Sequence, residues 1–467
     1  MTVNRCSGLG VKRSGFREQG HKKIYRLRRL LLDPATQFLR PEVLKQVEEI
    51  GAADILVGIP SYHNVATVGG VVEAAAQGLS YYFSGLKAVL VNSDGTSDDG
   101  TREAVLNAPL PSGIEKIVTV YKGPPGKGSA LKTIFEIANK LEAKMCLTLD
   151  ADSRSITPHW IKALGDPIHT QSYGYVTPYY LRDKHDGTVT NFLVYPLIRA
   201  LFGLKVRQPI GGDFGLTGGL VLALARQRVW GYETDVNRFG IDTWMTTTAI
   251  NEGFRVCQAA LGVKIHNPKH PGKDMRNMFK QVVGTLFGLM RKYEIKWKTV
   301  KETKTARIIG KFHFVELEEL KVGFPELIKN FKKGALESKK LWVEILDPKN
   351  YSQVTALTGL KNSDFRFPVE LWVRIVYDYA IAYNFAPFDK DDILESLLPL
   401  YFGRTAAFIL ETQTITDELA DAVVEGIAGI FERLKPYLLK RWENAKQEYL
   451  GAPQKTRIRM EKKIFRL

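Results

Sequence analysis

Two carboxylates two residues apart, Asp150 and Asp152, are the sharpest chemical feature of this 467-residue chain. They follow a short apolar run, Ala143–Leu149, which reads as a buried strand. At a strand end the pair can share one side of a turn. One carboxylate can then hold a hard divalent cation while the other bonds a sugar or ribose hydroxyl. Mg²⁺ and Mn²⁺ suit such a place, because they take few carboxylates and complete their shell with substrate phosphate oxygens. The competing reading is a helix N-cap, since Asp152-Ser-Arg-Ser-Ile-Thr-Pro158 precedes Trp160.

Gly126-Lys127-Gly128 is the second feature. The spacing of a Walker loop is absent. Glycines on either side of a lysine still let backbone approach a phosphate, with the ammonium as a point charge. A helix starting near Ser129 adds partial positive charge for the same anion. A plain loop with an exposed lysine is the alternative. Asp94-Gly-Thr-Ser-Asp-Asp99 can read a base or ribose, or make ordinary Asx-turns. Gln208-Pro-Ile-Gly-Gly-Asp-Phe-Gly215 is a tight turn or a place where backbone nears a ligand. Asp242, in Gly240-Ile-Asp-Thr243, is an N-cap or a site acid. His266 ends Leu261-Gly-Val-Lys-Ile-His266, as a structural ring or a further ligand for the carboxylate pair.

The elements that must position these residues follow from the apolar pattern. Asp54–Pro60, Leu86–Asn92, Glu115–Tyr121 and Ala143–Leu149 read as strands. Helical stretches are expected at Val65–Tyr82 and Ser129–Leu141. Strand alternating with helix implies a mostly parallel α/β sheet, whose ligands bind beyond the carboxyl ends of the strands. The polar stretches at 60–64, 94–99, 126–128 and 150–152 should therefore converge on one crevice. From about Val300 the spacing turns helical, at Glu316–Lys333, Pro368–Tyr383 and Ile415–Trp442. The expected organisation is a basic N-terminal arm and helix over 1–50, an α/β domain over 51–298, and a helical region over 299–467.

Composition limits the alternatives. Hydrophobic residues make up 45% and charged residues 25%, which is ordinary for a globular chain. Three cysteines without a CxxC pair exclude a disulfide scaffold and favour a reducing, cytoplasmic setting. No run of 18 apolar residues occurs, so no membrane span is expected. Lys plus Arg outnumber Asp plus Glu by 66 to 50, a net +16, which suits anionic ligands. The basic residues are spread and not interleaved with aromatics on one face, so nucleic acid is not an expected partner. Nine Lys and Arg against one acid fall between Met1 and Leu30, read as a solvated arm.

In order, these motifs resemble those of GT-A glycosyltransferases. More narrowly, they resemble the glucosyl-3-phosphoglycerate, glucosylglycerate and mannosylglycerate synthases. Pro125-Gly-Lys-Gly128, Gln208-Pro-Ile-Gly-Gly212 and Gly240-Ile-Asp-Thr243 are the closest local matches, and Phe365–Phe385 resembles the helical tail of those enzymes. The resemblance implies a GT-A, Rossmann-like nucleotide-sugar domain with a helical C-terminal region. It implies a retaining transfer of hexose, from a UDP- or GDP-sugar to D-glycerate or 3-phosphoglycerate, with Mg²⁺ or Mn²⁺, as in compatible-solute synthesis. A homodimer is the expected assembly. Pro60, Ser61, Tyr62, Asn64 and Asp94 would lie by the nucleobase and Lys127 on the diphosphate. Asp150 would bind ribose or sugar, and Asp152 with His266 the metal. Gly211 and Gly212 would lie near the acceptor or donor sugar, and Asp242 on sugar hydroxyls. Thr190 would touch the acceptor carboxylate. Thr188 stands where the phosphoglycerate enzymes carry an arginine, which implies a preference for unphosphorylated D-glycerate.

Overall fold

Strands form where the β-branched runs lie: β1 (Ile55–Ser61), β2 (Ala88–Asp94), β3 (Ile114–Val120) and β4 (Met145–Thr148). Every residue of β1, β2 and β4 is buried, as central strands covered on both faces require. β5 (Tyr175–Leu181), β6 (Phe214–Thr217), β7 (Val256–Val263) and β8 (Ile308–Ile309) complete one sheet of order β8-β7-β5-β6-β4-β1-β2-β3. β6 runs antiparallel to both neighbours, β4 and β5, and the other pairs are parallel. The mostly parallel Rossmann-like sheet with a helical C-terminal region is thus present.

The computed structural model describes residues 39–231, 234–265, 273–312, 317, 320 and 323–451. These fall within one compact unit. The basic arm lies outside the described residues. The helix after it, α1 (Pro41–Ile50), sinks Val43 and Val47 into the main core. Arg40 Nε donates to Val120 O at 2.7 Å, tying its start to the end of β3. Helices α2 (Val68–Tyr82), α3 (Lys127–Lys140) and α4 (Pro158–Gln171) cover the sheet.

The C-terminal helices share the core with the sheet. In α6 (Val369–Phe385, numbered after α5 at Ile241–Asn251) Trp372, Val373 and Val376 are fully buried, as their i, i+1, i+4 spacing demands. The Trp372 indole donates to Phe192 O at 3.0 Å, and Asn384 donates to Phe287 O at 2.9 Å. One core cluster runs from Leu39 to Tyr449. The expected helical stretch Ile415–Trp442 is two helices, α8 (Asp417–Arg433) and α9 (Lys435–Gly451). Pro436 explains the break, since a proline cannot donate to the preceding turn and its ring clashes with that turn's carbonyl. Helix α7 (Lys390–Thr412) is long and apolar enough to cross a membrane, but 72% of its apolar window is buried inside the protein. It is the core helix of this region.

Candidate functional site

The carboxyl ends of β1, β2 and β4 meet, as expected of a parallel sheet. Ser61 Oγ at the end of β1 donates to Asp94 Oδ2 at the end of β2, 2.8 Å away. Thr67 Oγ1, just before α2, donates to Ala151 O at 2.7 Å, which fixes the Asp150–Asp152 turn against that helix.

At the centre lies a closed cluster of three carboxylates and two lysines. Lys127 is the first residue of α3. Its Nζ donates to Asp150 Oδ1 at 2.8 Å and to Asp242 Oδ2 at 3.0 Å. Lys264 Nζ donates to Asp150 Oδ2 at 2.9 Å, Asp213 Oδ2 at 2.7 Å and Gly211 O at 2.8 Å. Asp213 Oδ1 accepts from the Asp150 backbone N–H at 2.9 Å, and its Oδ2 also accepts from the Tyr180 hydroxyl. Lys264 is only 3% exposed and Asp213 0%.

Charge arrangement sets the protonation states. Burial disfavours the charged form of Asp150, but Lys127 and Lys264 outweigh it and hold that carboxyl well below the usual range. Burial likewise opposes the Lys127 ammonium, and Asp150 and Asp242 overcome it. Burial raises Asp213 and Asp242, with the adjacent lysines acting against it. Asp150 is thus the firmly ionised member, while Asp242 and Asp213 are the ones nearest to taking a proton. Asp242 is the first acidic residue of α5 and lies almost entirely buried. Its Oδ1 is buried and accepts no hydrogen bond among the described residues. An orphaned carboxylate oxygen is costly unless a ligand or water fills it.

The glycines do a different job from the one expected. A Cβ on Gly128 would stand 1.8 Å from Val236 O, and one on Gly126 2.5 Å from Asn237 O. These glycines admit a neighbouring backbone segment, and only Lys127 between them faces the crevice. Lys127 is correspondingly not an exposed loop residue. Gly212, at φ +95°, leaves room for Asp150, whose Oδ2 would be 1.8 Å from an added Cβ. Gly211 packs on Pro178 and also borders the cleft described below.

The expected nucleobase residues sit at the β1 and β2 ends with unequal access. Pro60 is buried within β1. Asp94 is fully buried and receives Ser61 Oγ, Ser97 N and Ser97 Oγ, so it organises the turn and does not face the crevice. Asn64 Oδ1 is engaged by the Tyr62 N–H at 2.8 Å in a local turn. Tyr62 is 60% exposed and stacks on His63, with ring centroids 4.0 Å apart. Its ring is the surface in this group that a base can use.

Among the described residues no group of three metal-ligating side chains occurs. His266 lies outside them. Asp152 is partly exposed and makes no ion pair or hydrogen bond with a described residue. A partly exposed carboxylate without a protein partner fits a hard cation that draws its other ligands from phosphate and water.

The loop after β5 meets the C-terminal helices. A cleft of about 440 Å³ opens there, bordered by Tyr180, Arg182, Thr190, Arg207, Gly211 and Asp421. Gly211 joins it to the lysine–carboxylate cluster through the bond from Lys264. Thr190 lines this cleft. Thr188 does not, because its hydroxyl is hydrogen-bonded to the Tyr401 hydroxyl on α7. The position expected to face an acceptor phosphate therefore faces a helix.

Lys264, Asp213 and Tyr180 were not legible as site residues from their types and spacing alone. The one available signal was a lysine breaking the apolar end of β7, where burial demands a counter-charge.

No protein-family model matches the chain, and no curated protein does. Among solved structures it is similar to glucosyl-3-phosphoglycerate synthase from Mycobacterium tuberculosis in complex with Mg²⁺ and UDP. Identity there is 20% over 52% of this chain and 82% of that one, with a TM-score of 0.41. The same enzyme with Mn²⁺, UDP and glucosyl-3-phosphoglycerate matches at 20% identity over 54% and 85%, TM-score 0.41. A mycobacterial protein matches at 22% identity over 53% and 79%, TM-score 0.40.

Proposed function

We propose that this chain is a hexosyltransferase that moves a hexose, glucose in the first instance, from a nucleotide-sugar to D-glycerate. The observation that carries the reading is the orphaned Oδ1 of Asp242, buried beside Lys127 and Asp150. A sugar hydroxyl donates to such an oxygen, while Lys127 at the start of α3 meets the diphosphate. Lys127 has three N–H donors and two are used within the protein, which leaves one for a phosphate oxygen.

Departure of the diphosphate places positive charge on the sugar ring and negative charge on the leaving group. Lys127 stabilises the leaving group from a fixed position, at no reorganisation cost. Asp150, held ionised by two lysines, and Asp242 stand on the side where the ring becomes positive. Asp152, with His266, would hold Mg²⁺ or Mn²⁺, which neutralises diphosphate charge when bound. Gly211 borders both this cluster and the cleft after β5, which would take the acceptor, with the Thr190 hydroxyl for its carboxylate.

A donor-by-acceptor panel tests the reading. UDP- and GDP-glucose and -mannose are each incubated with D-glycerate or 3-phosphoglycerate, and products are read by mass and by anomeric coupling. A hexosyl-glycerate with retained configuration is expected. Nucleotide-sugar left intact with every acceptor would refute it.

A further inference from the structure

The cleft next to Gly211 is acidic. Its described lining carries five acids, Asp183, Asp186, Asp417, Glu418 and Asp421, against three bases, Arg182, Lys184 and Arg207, a net of −2. Each base is already engaged. Arg182 Nη1 holds Asp186 at 2.8 Å, and Lys184 Nζ donates to Ile415 O at 2.7 Å. Arg207 uses Nε and Nη2 on Asp421 Oδ1, at 2.9 and 2.6 Å, and Nη1 on Asn191 Oδ1 at 2.9 Å.

Arg207 is a group built to hold a phosphate here. Its guanidinium is a planar fork suited to bidentate oxyanion contact, and 11% of its side chain remains exposed. Asp421, from the C-terminal helix α8, occupies that fork. A phosphate dianion would have to displace Asp421 and then sit among the remaining acids. A hydroxy acid with one carboxylate brings roughly one negative charge in place of about three, and can be met by the Thr190 hydroxyl.

We propose that Asp421 is a specificity-determining residue: it neutralises Arg207 and so makes the cleft accept a singly charged hydroxy acid and reject its phosphorylated form. This rests on the transferase reading above. It moves the origin of acceptor choice from Thr188, which is turned to Tyr401, to a helix outside the sheet.

The test compares wild type with Asp421→Asn, which keeps the side-chain shape and removes the charge. The ratio of kcat/KM for 3-phosphoglycerate over D-glycerate should rise about tenfold in the variant, corresponding to about 1.4 kcal/mol. In a second arm, calorimetry measures 3-phosphoglycerate binding to the full chain without donor. Its affinity should rise by a similar factor in Asp421→Asn. If neither acceptor is glycosylated by wild type, the transferase reading fails, and the binding arm still decides the role of Asp421. An unchanged ratio together with unchanged 3-phosphoglycerate affinity overturns the proposal. Should Asp421→Asn fail to fold, Glu418→Gln removes a second lining charge, and roughly a threefold rise in the same affinity is expected. No rise there overturns it equally.

Discussion

Lys264→Met is the sharpest probe of the buried cluster. Asp150, Asp213 and Asp242 carry three negative charges and Lys127 and Lys264 two positive ones, a net of −1. The substitution keeps most of the side-chain volume and leaves −2, with Asp213 and the substituted position itself almost free of solvent. Three hydrogen bonds go with it, to Asp150, Asp213 and Gly211. Breaking a buried pair from one side costs about 3–5 kcal/mol. We expect a fall of several degrees in Tm at pH 7.5. The deficit should shrink on acidification, for a definite reason. Burial already raises Asp213 and Asp242, and loss of Lys264 raises Asp213 further. Between the ordinary carboxylate range and that raised value the folded state binds more protons than the unfolded one, so stability rises as pH falls. Adding Asp213→Asn returns the net charge to −1, and the introduced amide can donate to the Tyr180 hydroxyl. The double variant should recover much of the loss and its pH dependence. Thermal melts from pH 5 to 8 measure all three proteins. A single variant as stable as wild type at every pH would refute the closed lysine–carboxylate cluster.

Three further outcomes are expected. Asp152→Ala should abolish most turnover and leave Tm unchanged, and chelator should do the same to wild type; full activity in either case would remove the cation from the reading. The acid limb of kcat/KM should lie above the ordinary carboxylate range, because burial raises Asp242, and Lys127→Gln should move it higher still by removing the opposing charge; a limb that stays put would separate Asp242 from the rate. Asp235, pushed up to about 6 by burial, holds protons in the folded state that the unfolded chain has lost, so its contribution falls as pH rises from about 4 to 6. Asp235→Asn should therefore raise stability by about 1–3 kcal/mol at pH 7.5 and by little at pH 4.5, read by denaturant unfolding.

Local pattern carried much of this fold. β-Branched runs ended by polar turns located β1 to β4 within a few residues, and for β1, β2 and β4 the reason is that central strands must be apolar on both faces. The Pro436 break escaped a reading based on apolar spacing, which continues unaltered through it. The site divides in the same way. Asp150, Lys127 and Asp242 were legible because each follows or opens a regular element. The sheet topology already brought the Lys127 and Asp150 stretches together, but not the contact with Asp242, which lies 115 residues from Lys127 and reaches it only in the folded sheet. Lys264 was hidden by its surroundings, a single charge directly after an apolar strand. The role of the glycines at 126 and 128 was misread because space for a ligand and space for another stretch of protein leave the same mark in a sequence.

That last feature bears on how such a chain can be altered. The turn at 236–238 is seated against Gly126 and Gly128 with no room for a methyl group, and the Gly128 N–H donates to Arg238 O at 3.2 Å. The two stretches behave as tongue and groove, one carrying Lys127 and the other leading directly into Asp242. Neither can drift alone. A chimera that imports the 123–128 loop from a related enzyme must import the 234–242 segment with it, and a library that varies one while freezing the other will return mostly misassembled protein.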